Sequence, residues 1–181
     1  MIYSIVAYGD PVLRKETDEV ENSSDIKQLI KDMYETMYNA NGVGLAAPQI
    51  GRALRIFIVD STNMREDEPG LKKTFINPTI LEEEGEEWSF EEGCLSIPGI
   101  HADVFRPEKL KIHYFDENGK EFEEEYQGID ARVIQHEYDH IEGVLFTDHI
   151  SNLKKRLLKK KLENISRGKI SVGYKMKFPK K

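Results

Sequence analysis

The sequence predicts an α+β fold in which antiparallel strands pack around a central helix, with a further helix near each end of the chain. Three observations carry that prediction. Apolar residues recur at three- and four-residue spacing in three separate stretches, which is the period of a helix with a buried face. Lys109 to Phe115 and the segment holding Phe122 and Tyr126 alternate instead, on either side of an Asp116-Glu117-Asn118-Gly119 turn, which is the pattern of an antiparallel hairpin. The middle helical stretch is apolar on two sides, so it belongs between layers rather than on the surface.

At 181 residues the chain suits one domain with a substantial core. We expect that domain to span residues 1–168 and leave 169–181 as a basic tail with little to pack it, expected to be disordered. Residues 1–24 hold an Asp10-Pro11 turn and a polar run ending in Asn22-Ser23-Ser24, and are expected to wrap the surface. The first helix is expected from about Asp25 to Tyr38, with Ile26, Leu29, Ile30, Met33, Tyr34 and Met37 as its core stripe and Ser24 or Asp25 as its cap. Asn39-Ala40-Asn41-Gly42 ends it. The run Gly42 to Gly51 is built of small residues around Gln49, and leads to a buried strand from Leu54 to Val59. Its glycines let backbone approach something closely, but the spacing is not that of a phosphate-binding loop.

A second strand is expected around Lys73 to Ile76, then a solvated acidic turn from Glu82 to Glu87, then a strand resuming at Trp88-Ser89-Phe90 and leading to Gly93-Cys94-Leu95-Ser96. The central helix is expected from Ile129 or Asp130 to Glu142, stopped by Gly143. Ile129, Val133, His136 and His140 share one face; Ile134, Tyr138 and Ile141 fall on another. Leu153, Leu157, Leu158, Leu162 and Ile165 mark an amphipathic basic helix ending near Gly168.

Charged residues make up 33% of the chain, and no apolar run approaches the ~20 residues of a membrane span, so no membrane partner is expected. The first residues lack the pattern of a secretory signal, and a cytoplasmic location is the expectation. Cys94 is the single cysteine, which excludes an intrachain disulfide. Charge is unevenly placed. Residues 151–181 carry 12 Lys and Arg against Glu163, a balance of +11, while the other 150 residues carry 14 against 32, a balance of -18. A basic block of this kind is either a solvated face or a contact for an anionic partner such as RNA.

Gln135-His136-Glu137-Tyr138-Asp139-His140 carries the chemistry. Histidines four apart on a helix project from one face, so His136 and His140 can reach one metal ion. Glu137 beside them can take a proton from a metal-bound water, the arrangement of hydrolytic His-Glu-x-x-His sites. A catalytic metal typically takes a third protein ligand and leaves one position open. Gly143 sits where a metzincin glycine would, but Phe146 stands at the third-histidine position, and Glu163 lies in a basic helix. Cys94, as a thiolate in a turn after a strand, is the best remaining candidate.

Three blocks, Gly42 to Gly51, Glu92-Gly93-Cys94-Leu95-Ser96 and Gln135 to His140, together with Arg106-Pro107-Glu108-Lys109 and the hairpin, make the chain similar to the peptide deformylases over about residues 1–165. The resemblance implies removal of the N-formyl group from the initiator methionine of new polypeptides. It implies one divalent metal on Cys94, His136 and His140, usually Fe2+, with Zn2+, Ni2+ or Co2+ able to replace it. It implies Glu137 as general base and then acid, and the Gln49 amide and Leu95 N–H as donors to the formyl oxygen. Substrate backbone would lie on Val43 and Gly44, and the methionine side chain among Val43, Phe90, Glu92, Ile129, Arg132, Val133 and His136, with Arg132 at the rim. Arg106 resembles a substrate-facing arginine, or else makes a surface salt bridge. Its partners would be N-formylmethionyl nascent chains and, through the basic helix, the ribosome; DNA is not implied. A zincin-type peptidase would use the same helix without needing Cys94, and a binding module with a structural metal would need neither Glu137 nor Gln49.

Overall fold

The computed structural model describes residues 1–21 and 26–180, so the cap expected at Ser24 or Asp25 lies outside the described residues. Helix α1 spans Lys27–Asn39 and buries Ile30, Met33, Thr36 and Met37. Its end is closed by the Gly42 N–H donating to Met37 O at 2.9 Å, after Asn41 turns at φ 55°. Five strands then form one antiparallel sheet: β2 Gly44–Ala46, β3 Ile56–Asp60, β4 Lys72–Cys94, β5 Ile97–Phe115 and β6 Glu121–Gln127, in that spatial order. The hairpin expected at 109–126 is the β5–β6 pair, with Tyr114 opposite Phe122 and Leu110 opposite Tyr126.

The acidic run is not a turn. Glu82 to Glu87 continue β4, with Glu82 opposite Lys111 and Glu84 opposite Lys109 on β5. Opposite charges across an antiparallel pair replace the apolar alternation that normally marks a strand. Both faces are in water there, so the sequence carries no period-2 signal. Register shifts along the β4–β5 pair bend the two long strands, one of them beside Gly85 at φ 87°.

Helix α2, Gly128–Ile141, follows β6 without a connecting loop and packs against β2, β3, β5 and β6. Ala131, Val133, Ile134 and Ile141 join Phe57, Phe75, Leu110, Ile112 and Tyr114 in one buried cluster. Phe75 anchors it, its ring 4.7 Å from Phe57 and 4.4 Å from Tyr114. Each such side chain contributes roughly 1.5–3 kcal/mol on burial, which fixes the helix as a rigid base for whatever its other face carries. Gly143 closes the helix in the left-handed region, as expected.

Helix α3, Asn152–Ser166, is capped by Ser151, whose hydroxyl accepts from Lys154 N–H at 3.2 Å. Leu162 and Ile165 are buried and Leu158 packs against the same cluster, whereas Leu153 and Leu157 are 68% and 72% exposed. The core-facing stripe is therefore narrower than the leucine pattern suggests.

Both chain ends are more integrated than the sequence implies. Ile5, Val6, Ala7 and Leu13 are buried rather than laid over the surface. Strand β1, Ile5–Val6, pairs in parallel with β7, Met176–Lys177, so the segment 169–180 is held in place instead of being disordered. Phe178 and Ile170 pack on the cluster that includes Ala7 and Ile165. A tail without helical or strand periodicity was legible only as unpacked, because the strand it pairs with lies 171 positions earlier in the chain. Among the described residues, no helix is long and apolar enough to cross a membrane.

Candidate metal centre

Cys94 is the last residue of β4, and the two-residue turn Leu95-Ser96 returns the chain to Ile97 on β5, opposite Cys94. The turn delivers the thiol onto α2. The Cys94 Sγ lies 3.4 Å from His140 Nε2, and the ring centroids of His136 and His140 are 5.1 Å apart. Ligand atoms of Cys94, His136 and His140 all lie within 4.8 Å of one another. Helical spacing supplies the two imidazoles, and the sheet supplies the sulfur.

Alternation along β4 puts Glu92 on the same side as Cys94, and its carboxylate meets His136 from behind. Glu92 Oε1 accepts from His136 Nδ1 at 2.8 Å and from Arg106 Nη2 at 3.0 Å; Oε2 accepts from Arg106 Nε at 2.8 Å and Arg132 Nη1 at 2.9 Å. An ionised carboxylate can only accept, so Nδ1 carries the proton and Nε2 is left free to coordinate. Burial alone would raise the Glu92 carboxyl, but His136 and Arg106 outweigh it and hold the group well below the usual carboxylate range. Arg106 donates onward to Asp139 Oδ2 at 2.8 Å, which also meets His149 Nε2 at 2.8 Å. Arg106 is 5% exposed, so it makes a buried ion pair rather than a surface salt bridge, and it is not among the residues that line the cleft described below. Arg132, 2% exposed, is no rim residue either: it donates to Val104 O and Trp88 O and lies 4.6 Å from the Trp88 ring.

Glu137 is buried, and burial raises its carboxyl to about 7. Its Oε1 is 4.0 Å from His136 Nε2, and its Oε2 has no protein partner among the described residues. Space for this carboxylate exists because Gly44 has no side chain: a Cβ there would stand 2.5 Å from Glu137 Oε1. Gly42 likewise makes room for Leu95, whose Cδ1 would be 2.8 Å from an added Cβ. Gln49 is oriented by Ala46 N–H donating to its Oε1 at 2.9 Å. That turns Nε2 inward, 3.2 Å from Ser96 Oγ and 3.4 Å from Cys94 Sγ.

These groups open on a cleft of about 390 Å³. Of the residues expected to bind substrate, Val43, Gly44, Phe90, Glu92, Arg132 and Val133 line it. Ile129 does not; it packs with Val43 and Met64 in the neighbouring core cluster, one turn before Val133. Met64, His101 and Tyr174, which no motif or periodicity singles out, also line the cleft from three separate loops and strands. A wider groove of about 710 Å³ lies between α1 and the sheet, but the clustered ligand atoms are in the smaller cleft.

The donor set fits a divalent transition metal: one thiolate and two imidazoles converge, His136 is pinned through Nδ1 by Glu92, and an acid with an unpartnered oxygen stands beside them. An antiparallel sheet wrapped on a His-Glu-x-x-His helix, with a base beside three convergent ligands, defines a metal-dependent hydrolase.

The profile of the polypeptide deformylase family matches residues 2–156. A peptide deformylase of Cytophaga hutchinsonii is 60% identical, covering 99% of this chain and 98% of the relative. That of Christiangramia forsetii is 55% identical over 99% of this chain and 97% of its own length. The crystal structure of a peptide deformylase from Legionella pneumophila superposes with a TM-score of 0.82 at 40% identity, covering 93% of this chain and 98% of that one. The chain belongs to the polypeptide deformylase family, with peptide deformylase activity at the Cys94, His136 and His140 metal site.

Proposed function

We propose that this centre hydrolyses the formyl amide at the N-terminal methionine of nascent chains, with Glu137 as the proton carrier and Gln49 and Leu95 as the oxygen-binding groups. The observation that carries the assignment is the buried, half-unpartnered Glu137 carboxylate beside the three convergent ligands. A divalent cation held by Cys94, His136 and His140 would supply Lewis acidity, lowering the pKa of water at the site towards neutrality and polarising the formyl carbonyl. Glu137 accepts the proton of the attacking water at its carboxylate and later returns it to the departing amine nitrogen. A carboxyl raised to about 7 is matched to both halves of that task. Gln49 Nε2, already turned inward by Ala46, and the Leu95 N–H donate to the formyl oxygen as negative charge grows on it. Pre-aimed donors of this kind are worth roughly 3 kcal/mol each in barrier height.

Strand β2 is at the edge of the sheet, so the peptide adds there as a further strand along Val43 and Gly44. Val43, Phe90 and Val133 hold the methionine side chain, Ile129 backs them, and Glu92 and Arg132 close the floor as a neutralised pair. The catalytic domain comprises residues 1–168, and the segment that follows pairs with β1 through Met176–Lys177. The thiolate and two imidazoles suit Fe2+, Zn2+, Ni2+ and Co2+ alike, and we assign Fe2+ as the working metal on the family resemblance. Nascent-chain substrates fit a cytoplasmic location. The exposed outer face of α3, with Lys154, Arg156 and Lys160 around Leu153 and Leu157, is proposed to contact ribosomal RNA. Charge reversal at those three positions should abolish ribosome co-sedimentation at low salt; unchanged sedimentation rejects the contact.

The test of the activity uses protein loaded with iron without oxygen and three peptides: formyl-Met-Ala-Ser, its acetyl analogue and an unmodified longer peptide. Formate release from the first alone is expected. Internal cleavage of the third would identify a peptidase instead.

A further inference from the structure

The turn that carries Cys94 into place is held by groups from both ends of the chain. Tyr8, just after β1, donates its N–H to Ser96 O at 2.9 Å. Tyr174, just before β7, donates its hydroxyl to Leu95 O at 2.7 Å. The two ends are themselves zipped together, with Ile5 N–H donating to Lys175 O at 2.8 Å and Ala7 N–H to Lys177 O at 2.9 Å. Ser96, fully buried, takes a second contact, at its hydroxyl, from Gln49 Nε2 at 3.2 Å. A two-residue turn with both carbonyls tied has little freedom left in either peptide plane. The Tyr174 ring, half-buried, also lines the cleft alongside Gly42 and Leu95.

We propose that Tyr174 is a positioning residue for deformylation: its hydroxyl fixes the Leu95–Ser96 peptide, which restrains across the Leu95 Cα the preceding Cys94–Leu95 peptide that carries the Leu95 N–H and adjoins the Cys94 sulfur, while its ring forms part of the substrate wall. The C-terminal segment is then a component of the active site, closed onto it by the β1–β7 pair. This rests on the reading of Leu95 N–H as an oxygen-binding group, and on Cys94 as a ligand. Phe keeps the ring and deletes only the hydroxyl, so Tyr174→Phe isolates the tether; Tyr174→Ala removes the wall as well. A neutral hydrogen bond of this kind is worth a factor of about 5 in the population of the aligned turn.

The experiment uses the full-length protein loaded with Co2+, whose absorption reports the geometry around the sulfur independently of turnover. For Tyr174→Phe the expected result is kcat on formyl-Met-Ala-Ser lowered ~5-fold at unchanged KM, together with a shifted sulfur-to-cobalt absorption band. Tyr174→Ala should add a rise in KM. Wild-type kcat and an unshifted band in Tyr174→Phe would overturn the proposal, and so would a lower melting temperature as the sole change. Failure of the wild type to release formate would instead reject the reading of the site beneath it.

Discussion

Substituting Gly44 by alanine tests why this position lacks a side chain. The added Cβ would stand 2.5 Å from Glu137 Oε1 and 2.8 Å from both Cδ and Cγ, against an ordinary contact distance of 3.4 Å or more. The carboxylate must therefore retreat by about 0.9 Å. It has little room to do so, being 4% exposed. A displacement of about 1 Å in a catalytic group costs on the order of 100-fold in rate. Overpacking of this kind destabilises by about 1–3 kcal/mol. The three metal ligands are not touched. The expected variant is folded, keeps one metal per chain, melts somewhat lower and shows kcat down ~100-fold on formyl-Met-Ala-Ser with KM little changed. Steady-state kinetics with metal analysis on the same preparation decide it. If KM rose and kcat held, the glycine would serve the approach of substrate backbone instead, and the packing argument for Glu137 would be refuted.

Three further outcomes follow from the same geometry. Cys94→Ala should lose bound metal, whereas Glu137→Gln should keep it and lose turnover; stoichiometric metal in the alanine variant would remove Cys94 from the ligand set. Glu92→Ala leaves Arg106 and Arg132 buried without their shared carboxylate and frees His136 to rotate, so a stability loss of roughly 3–5 kcal/mol and metal affinity weakened 10–100-fold are expected, read by denaturant melts and chelator competition. Burial would raise Glu124, but hydrogen bonds from Lys73, Tyr126 and Tyr114 hold it below its ordinary 4.5, so its contribution to stability is present above 4.5 and is lost as pH falls through the lowered folded value. The gap in melting temperature between wild type and Glu124→Gln should therefore be open at pH 7 and close in acid; a gap constant with pH would show that the ion pair with Lys73 is not its source.

Periodicity carried the reading wherever one face is buried and the other wet. The α1 stripe, the β5–β6 hairpin and the two-sided α2 were legible for that reason. Glu82 to Glu87 defeated it because a strand solvated on both faces shows only charges, and what makes it a strand is Lys109 and Lys111 on another element. Leu153 and Leu157 misled in the opposite direction, since helical spacing marks an apolar row whether or not anything covers it.

The sequence by itself determined the chemistry. Two histidines one helical turn apart with a glutamate between them and a lone cysteine name the metal-binding groups, because ligand type and helical spacing are local properties of the chain, while the run around Gln49 took its meaning from the family resemblance. What only the tertiary structure decided is how those groups are held. Glu92 reaches His136 across 44 positions, Arg106 reaches Asp139 across 33, Tyr174 reaches Leu95 across 79, and Gly44 is empty for the sake of a carboxylate on α2. Such contacts are made between elements by packing, and a one-dimensional pattern carries no record of which side chains packing will bring within 3 Å.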